Sequence, residues 1–571
     1  MRIQPCSSRD AQISSSFVSC NLESLQPAIK ASCSPTWTPF RFLLRKELES
    51  FSFSIYELPP EVEPKPLYNL PSDAPSVIRF RSRTATLSHQ LRHLRSPSSA
   101  SSPTHGAVNS IHAVRTSILS RRWSQLLADL PRLKISARDF MRPRSRMPDG
   151  EFRRINAAVV EATKSMLARR DGCTIRLLSI EFFLRDDAPV SIGSTVGDAM
   201  ATHKIEEAQF SVWTVKSRLR CTVDDRVNFG AQIVSFFNAC LNAFAGLTSL
   251  YLENCRFAKS DFVSNMLGTC KQLTYLCFIN CDMEGFIELQ VEHAELVELI
   301  FVNCGFNKVQ LKWLPRLTRT TFETWGTSEE LPLSFGHVPL LEVLTLKNTA
   351  LYWHKMVNLS TLLSETPVQD LRLGFTGEKI WVQPEFLTRK LSSAFHRLRT
   401  LCLYNIPEEY DLRWTMFILE AAPSLEEFYM LVMDHPCEME MDEEKRRELS
   451  YVEEKGVEWE SANPNFKHHR LTKLIIFCFE SKPYMGYHVM RVMKAAVNLQ
   501  DVYLYNRLTC RRCNHLKKPT RFPKSEKQRR ADTEIMNQDI ESPARVHFLN
   551  PDEMSPAHDV PIPRFFTFQQ K

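Results

Sequence analysis

The chain has 571 residues, of which 43% are hydrophobic and 24% charged, and its formal net charge is +7. This length predicts about two to four globular units or one elongated repeat array, and so mild a charge does not favour a nucleic-acid partner. Only 16 residues are glycine, and the sequence has no glycine-rich phosphate loop, G-x-S-x-G or H-E-x-x-H motif. We therefore disfavour an enzyme and predict no catalytic residue, no cofactor and no metal site.

The first 108 residues lack sustained hydrophobic periodicity and end in the Ser/Pro-rich stretch SPSSASSPTHG, residues 96–106. This composition predicts disorder over 1–108. We find neither a signal peptide nor a run of about 18 apolar residues that could span a membrane. We therefore expect the 16 cysteines to be reduced, and the protein to reside in the nucleus, the cytoplasm or both.

From His112 to Leu133 the sequence HAVRTSILSRRWSQLLADLPRL predicts an amphipathic helix. Pro131 prevents the helix from continuing. A single apolar stripe runs along it, formed by Val114, Ile118, Leu119, Trp123, Leu126 and Leu127. A second helix is predicted from about Phe152 to Arg170.

A repeated pattern, L-x-x-L-x-(L/F)-x-x-C with Asn before the Cys, then appears three times, with Phe278 and Phe301 at the sixth position of the second and third copies. Its copies begin at Leu247, Leu273 and Leu296 and close at Cys255, Cys281 and Cys304. The offsets fall in the window of about 20–29 residues that is typical of leucine-rich repeats. The leucines are predicted to point inward from short parallel strands, the Asn or Cys to close each turn, and the three thiols to be core spacers without a metal or redox role.

Looser copies extend the pattern in both directions. They are centred on Ile175/Leu178/Ile180, Ile205/Ala208/Phe210, Leu317/Phe322, Leu341/Leu344/Leu346, Val368/Leu371/Leu373, Leu398/Leu401/Leu403, Leu425/Phe428/Met430, Leu471/Leu474/Ile476 and Leu499/Val502/Leu504. The predicted fold class is α/β: a leucine-rich-repeat solenoid, or horseshoe, with parallel strands on its concave face and a loop or helix returning along the convex side. An ordinary α/β domain with leucine-rich strands is the alternative.

Side chains alternate along a strand, so the residues between inward leucines are expected on the concave face. Tyrosine is favoured in binding patches because it offers a large contact area at a low cost in entropy. The predicted target-binding residues are Tyr251, Glu253, Tyr275, Tyr404, Tyr429, Phe477 and Tyr503. The alternative is that insertions cover this face and make it part of the core.

Two further segments have chemical character without a defined site. Cys437 to Glu460 is an acidic insertion, predicted to be an exposed loop or helix. Cys510, Cys513 and His515 provide three potential zinc ligands where a structural site needs four, so a chance C-x-x-C is favoured. The basic run Arg511–Arg530 is interpreted as a solvated tail or a nuclear import signal, because it lacks the aromatic residues of a base-stacking surface.

The stretch AVRTSILSRRW (Ala113 to Trp123), followed by LLADLPRLKI, resembles the second half of a plant F-box. The C-terminal stretches VMDH, FKHHRLTKLIIFCFE and VMRVMKAAVNLQDVYL resemble the FBD-type region of plant F-box/leucine-rich-repeat proteins. The resemblance covers residues 110–545 and implies a small helical bundle that docks on the Skp-type adaptor of a cullin-RING (SCF) ubiquitin ligase. The implied adaptor-binding residues are Val114, Ile118, Leu119, Arg122, Trp123 and Leu126.

The sequence departs from that family just upstream. The window LRHLRSPSSASSPTHGAVNSI replaces the expected first helix. NLPSD (Asn69 to Asp73) matches its opening letters but lies some forty residues upstream of Ala113, where the family has this segment about twenty residues upstream. Either the F-box carries an insertion, or its first half is degenerate or missing. The predicted domains are a disordered 1–108, an F-box-like 109–135, a solenoid 150–433, an FBD-like continuation 434–510 and a basic tail 511–571.

The resemblance implies a substrate-recognition subunit of an SCF-type ubiquitin ligase, which binds the Skp-type adaptor and a target protein and has no activity of its own. The alternative is a repeat scaffold with a lost F-box that binds a protein without directing ubiquitin transfer. Neither a membrane nor a nucleic acid is an expected partner.

Overall fold

The computed structural model describes most of the chain from residue 130 to residue 551. The described ranges are 130–141, 147–168, 174–258, 261–285, 288–306, 308–323, 333–347, 357–364, 366–375, 381–383, 385, 388–408, 410–433, 465–508, 520–538, 540 and 542–551. The predicted disordered region, the six adaptor-binding residues, the acidic insertion and Cys510, Cys513 and His515 all lie outside them.

Within the described ranges the structure has nineteen β-strands. They are β1 (Arg132–Ser136), β2 (Ile175–Phe183), β3 (Ile205–Trp213), β4 (Ser249–Glu253), β5 (Arg256–Phe257), β6 (Tyr275–Ile279), β7 (Asp282–Met283), β8 (Glu288–Glu292), β9 (Glu298–Val302), β10 (Lys308–Trp313), β11 (Arg319–Glu323), β12 (Leu333–His337), β13 (Val343–Lys347), β14 (Asp370–Gly374), β15 (Thr400–Ile406), β16 (Glu427–Val432), β17 (Lys473–Phe477), β18 (Asp501–Tyr505) and β19 (Arg545–Leu549).

Ten α-helices occur in the same ranges. They are α1 (Asp149–Leu167), α2 (Ala188–Thr202), α3 (Val223–Ala239), α4 (Leu241–Ala245), α5 (Phe262–Thr269), α6 (Leu359–Leu362), α7 (Thr388–Phe395), α8 (Met416–Ala421), α9 (Pro483–Ala495) and α10 (Glu526–Met536). Helix α1 begins three residues before the predicted Phe152. Asp149 and Glu151 lie in its first turn, where carboxylates complement the helix dipole.

Fourteen of the strands form one sheet in the order β1-β2-β3-β4-β6-β9-β11-β13-β14-β15-β16-β17-β18-β19. The neighbouring strands of this sheet pair in parallel, and the sequence order is kept throughout. A parallel sheet in sequence order, with one strand per repeat, is the architecture of a repeat solenoid. The predicted α/β leucine-rich-repeat fold is therefore confirmed.

The repeated leucines form the core, in the predicted register. Leu250 pairs with Leu276, which pairs with Leu299, and all three are fully buried. The looser copies follow the same alignment, since Leu178 pairs with Ala208. Each buried leucine stabilises the fold by roughly 1.5–3 kcal/mol, but only because the neighbouring repeats cover it.

The turns that follow β4, β6 and β9 have a common geometry. Asn254, Asn280 and Asn303 have positive φ angles of 56°, 52° and 51°, which asparagine tolerates better than most residues. Each backbone amide donates to the next repeat, as from Asn280 to the carbonyl oxygen of Val302 at 2.8 Å. The Asn280 amide Nδ2 also donates to Asn254 Oδ1 at 2.5 Å.

The cysteines that close these turns are buried, as predicted. The Cys281 thiol donates to the carbonyl oxygen of Leu252 at 3.8 Å, and the Cys304 thiol to that of Phe278 at 3.4 Å. Burial raises the pKa of Cys304 well above its usual value. These thiols therefore fill the core and link successive repeats.

On the opposite side of the core, the returning elements differ from the expected loops and helices in the middle of the array. Strands β8, β10 and β12 form a second parallel sheet there, in the order β12-β10-β8. The sequence of β8 alternates, with Leu289 and Val291 buried and the residues between them exposed. This alternation explains why the segment forms a strand rather than a helix.

The sheet extends beyond the predicted solenoid boundaries at both ends. Strand β1 begins within the segment predicted as F-box-like, 109–135, and ends one residue beyond it, and α10 and β19 lie within the predicted basic tail. Strand β19 joins β18 in parallel and buries Phe548, although its sequence RVHFL lacks the leucine pattern. The repeats therefore continue past residue 510, to Leu549.

Candidate functional site

The candidate site is the face of the fourteen-stranded sheet that points away from the leucine core, which we call the open face. In β4, Leu250 and Leu252 are buried in the core, whereas Ser249, Tyr251 and Glu253 alternate with them and are half-buried. Because the strands pair in register, equivalent side chains form rows across the sheet. The middle row contains Tyr251, Cys277, Ile300, Thr321, Thr345, Arg372, Cys402, Tyr429, Ile475, Tyr503 and His547.

An aromatic patch lies at the N-terminal end of the open face. The rings of Trp213 and Tyr251 pack with their centroids 4.8 Å apart. The guanidinium of Arg138 lies 4.5 Å from the Trp213 ring, within the range of a cation–π contact. We call Arg138, Trp213, Tyr251 and Glu253 the N-terminal patch.

Glu253 is held rigidly in this patch. Its Oε1 accepts hydrogen bonds from the backbone amide of Thr214 at 2.8 Å and from the Thr214 hydroxyl at 2.9 Å, and Tyr251 donates to its Oε2 at 3.1 Å. Burial raises the pKa of Glu253, and the hydrogen bonds from Thr214 act in the opposite direction. The patch therefore presents aromatic rings and a fixed carboxylate together, a combination suited to a polypeptide surface.

The C-terminal end of the open face carries ion pairs next to aromatic rings. Lys473 pairs with Glu427 at 2.7 Å, and Tyr429 donates to the same carboxylate at 2.7 Å. His547 Nε2 lies 2.8 Å from Asp501 Oδ1. The His547 ring stacks on Tyr503 with 4.8 Å between centroids.

Toward the carboxyl ends of β15 to β18, the open face is apolar and buried. The cluster is separate from the leucine core and consists of Cys402, Tyr429, Leu431, Met433, Ile475, Phe477, Cys478, Tyr505 and Leu508, with Tyr404, Tyr503 and Leu549 packed against it. Ile475 and Cys402 are fully buried. We call the nine buried residues, Cys402 to Leu508 in that list, the second core.

The structure divides the seven predicted target-binding residues into two groups. Tyr251, Glu253, Tyr275, Tyr404 and Tyr503 are half-buried. Tyr429 and Phe477 are only 6% and 3% exposed and belong to the second core. Target binding by the set stays a prediction.

Two open-face residues were not anticipated from the sequence. Trp213 ends β3, and His547 lies in β19. Alternation could have identified Trp213, because Phe210 and Val212 point inward. His547 had no such signal, because its strand lacks leucines at the expected spacing.

The described ranges contain neither a cluster of metal-ligating side chains nor a membrane-spanning helix. No three His, Cys, Asp or Glu side chains there gather closely enough to hold a metal ion. Among the helices of the described residues, none is both long and apolar enough to cross a membrane.

The stacked parallel strands, the inward leucines and the Asn-Cys turns define a leucine-rich-repeat protein, a class with a protein-binding role. Comparison with known families agrees: the family described as At1g61320/AtMIF1, LRR domain, matches residues 234–537, which is more than half of the chain. The chain belongs to this family. A comparison with curated proteins found no match.

Proposed function

We propose that the open face binds a target protein and that the chain acts as the substrate-recognition subunit of an SCF-type ubiquitin ligase. The observation that carries the binding role is the open face itself. Its aromatic and charged side chains, such as Tyr251, Arg372 and Tyr503, stand in register on a sheet fixed by the leucine core. Repeat proteins use extended surfaces of this kind to bind partners.

The ligase role is supported by the resemblance of Ala113–Trp123 to the second half of an F-box, and by the repeats that follow it. In this proposal Val114, Ile118, Leu119, Arg122, Trp123 and Leu126 contact the Skp-type adaptor of a cullin-RING complex. The chain contributes no catalytic group and needs no cofactor. Ubiquitin transfer is promoted by proximity, because a bound target lysine is held at high effective concentration near a ubiquitin-loaded enzyme. The nucleus or cytoplasm is the proposed location.

A second candidate function is a binding scaffold that is not coupled to ubiquitin transfer. The Ser/Pro-rich window before Ala113 favours it, because this window replaces the first F-box helix. Both functions use the open face in the same way, so they differ only in adaptor binding.

Adaptor binding is tested by co-purification of the full chain with a Skp-type adaptor. The double variant Leu119→Asp, Trp123→Asp places two charges on the apolar stripe. The matched control, Ser117→Asp with Ser124→Asp, adds the same charge on the opposite side of the predicted helix. The ligase proposal expects wild type and control to retain the adaptor and the stripe variant to lose it. If wild type retains none, the scaffold function is favoured.

Target binding is tested by site-specific photo-crosslinking. A photoreactive phenylalanine analogue replaces Tyr503 on the open face or, as a control, Tyr487, which is 53% exposed on α9. The proposal expects one discrete crosslinked partner from position 503 and none from position 487. Equal crosslinking from both positions would contradict binding on the open face.

A further inference from the structure

A groove runs along the edge of the sheet at which β15 to β19 begin, beside the open face. Two adjoining cavities, of about 550 Å³ and 370 Å³, share the lining residues Glu426 and Arg470 and so form a single groove. Arg397 and Arg399 line its first part, and His469 lines its second. This surface takes no part in the proposed function.

The groove has an excess of positive charge. Glu426 carries the one carboxylate among the groove's described lining residues, and Arg399 pairs with it at 3.6 Å. This ion pair neutralises the carboxylate. The side chains of Arg397 and Arg470 are exposed and make no ion pair or hydrogen bond with any described residue. Two guanidinium groups are therefore available to a ligand.

The two arginines occupy equivalent positions. Arg397 precedes the inward Leu398, and Arg470 precedes the inward Leu471, two strands further along the sheet. Adjacent strands are about 4.8 Å apart, so the two positions are separated by roughly 10 Å. A chain extended in the polyproline-II conformation advances about 3.1 Å per residue with three residues per turn, so this separation corresponds to residues i and i+3, whose side chains lie on the same edge.

The backbone beneath the groove is rigid. The amides of Glu426 and Glu427 both donate to the carbonyl oxygen of Arg399, at 2.8 and 3.0 Å, and the amide of Thr472 donates to that of Glu426 at 3.0 Å. The buried ring of His468 accepts a hydrogen bond from the Arg470 amide at 3.3 Å. Little backbone freedom remains to be lost when a ligand binds, which favours affinity.

We propose that this groove binds an extended acidic segment of a partner protein, with carboxylates three residues apart paired to Arg397 and Arg470. Polar side chains such as Ser424 and Asn498 line the groove and can bond to the backbone of such a segment. Among its described lining residues none is Phe, Tyr or Trp. A nucleic acid is disfavoured because single strands bind largely by stacking on such rings.

The test measures fluorescence anisotropy with the full chain and a labelled peptide of about twelve residues that carries glutamate at every third position. The control peptide has glutamine at those positions. The variant Arg397→Glu, Arg470→Glu reverses the groove charges. The matched control, Arg176→Glu with Arg220→Glu, makes the same change in net charge at exposed arginines remote in the sequence.

The acidic peptide is expected to bind at least about tenfold more tightly than the glutamine peptide, and the groove variant to lose about ten- to a hundredfold in affinity. The control variant is expected to bind like wild type, and all binding to weaken with salt. The milder variant Arg397→Gln, Arg470→Gln is expected to lose affinity too, and it keeps the test decisive if charge reversal disturbs folding.

Three results would overturn the proposal: equal binding of both peptides, equal loss in the groove and control variants, or displacement of the peptide by a single-stranded RNA of the same length. None of these depends on the adaptor or on the open face, so the proposed function would be unaffected.

Discussion

His468 ties its own repeat to the one before it: its Nε2 donates to the carbonyl oxygen of Ala422 at 2.9 Å. Its Nδ1 accepts from the backbone amides of Arg470 at 3.3 Å and Leu471 at 3.0 Å. His293 is bonded similarly in an earlier repeat, where its Nε2 donates to the carbonyl oxygen of Cys270 at 2.9 Å and its Nδ1 accepts from the Glu295 amide at 3.2 Å. Both histidines stand three residues before an inward leucine, so this ring fixes the turn into the strand.

We predict that His468→Ala lowers the free energy of unfolding by about 2–4 kcal/mol, because it leaves a buried carbonyl and amides unpaired. His469→Ala is the matched control, since the neighbouring ring is exposed. It is expected to change the free energy of unfolding by less than about 0.5 kcal/mol. Urea unfolding at neutral pH measures both. Similar losses in the two variants would contradict the role of His468.

The pH dependence of stability is expected to follow the buried histidines. Burial lowers the pKa of His293 and His468 below 6.5, and that of His488 to about 4. Below pH 6.5 the unfolded chain therefore binds more protons than the folded one. The contribution of these neutral histidines to the free energy of unfolding is therefore fully present above pH 6.5. It is lost progressively as the pH falls toward their pKa values in the folded state.

His488 gives the clearest test of this pH dependence. It is buried on α9, and neither ring nitrogen finds a hydrogen-bond partner among the described residues. We predict that His488→Leu flattens the loss of stability between pH 6.5 and about 4, by roughly 3 kcal/mol. Urea midpoints across this range, determined in parallel on wild type and variant, measure the effect. An unchanged slope in His488→Leu would refute the assignment.

Asn280 combines a positive φ of 52° with a side-chain hydrogen bond to Asn254, and the two contributions can be separated. Asn280→Gly removes the hydrogen bond but tolerates the backbone, at an expected cost of about 1 kcal/mol. Asn280→Ala adds the left-handed strain and is expected to cost about 1 kcal/mol more. Denaturant unfolding checks the order; an alanine variant more stable than the glycine variant would be inconsistent with it.

Two aromatic residues of the open face are expected to respond differently to truncation. Phe477 is 3% exposed in the second core, so Phe477→Ala is predicted to lose about 3–5 kcal/mol of stability. Tyr503 is half-buried and stacked on His547, so Tyr503→Ala should cost about 1 kcal/mol.

The effects of these two substitutions on target binding are expected in the opposite order. Tyr503→Ala is expected to weaken capture of the crosslinked target while remaining folded. Thermal melts and pull-downs on the same samples distinguish the two effects. A Tyr503→Ala variant that melts as early as Phe477→Ala would place both residues in the core.

The sequence allowed the repeat fold to be predicted because leucine spacing reports directly on burial. The loose copy at Leu317/Phe322 was identified even though its middle leucine is replaced. Thr320 occupies that position, where it is buried and its hydroxyl donates to the carbonyl oxygen of Leu299. The candidate site was less accessible to prediction. Alternation assigns a side chain to a face but does not show whether that face is covered.

The second core nevertheless left a signal in the sequence. Strands β16 and β17 read EFYMLV and KLIIF, which are continuous apolar runs rather than alternating ones. Such runs are typical of strands buried on both faces. Tyr429 and Phe477 lie within these runs, whereas Tyr251 lies in the alternating SLYLE of β4.

The parallel sheet of β8, β10 and β12 has a consequence for how partners meet this protein. Packed helices stand about 8–10 Å apart, whereas strands stand about 4.8 Å apart, so helix-backed repeats splay outward and bend the sheet. Where strands return instead, the spacing between neighbouring repeats is the same on both sides of the core, so the repeats are not splayed apart. The middle repeats should therefore form a flat span between two more curved ones, and a ligand reaching from Tyr251 to Tyr503 must fit two curvatures at once.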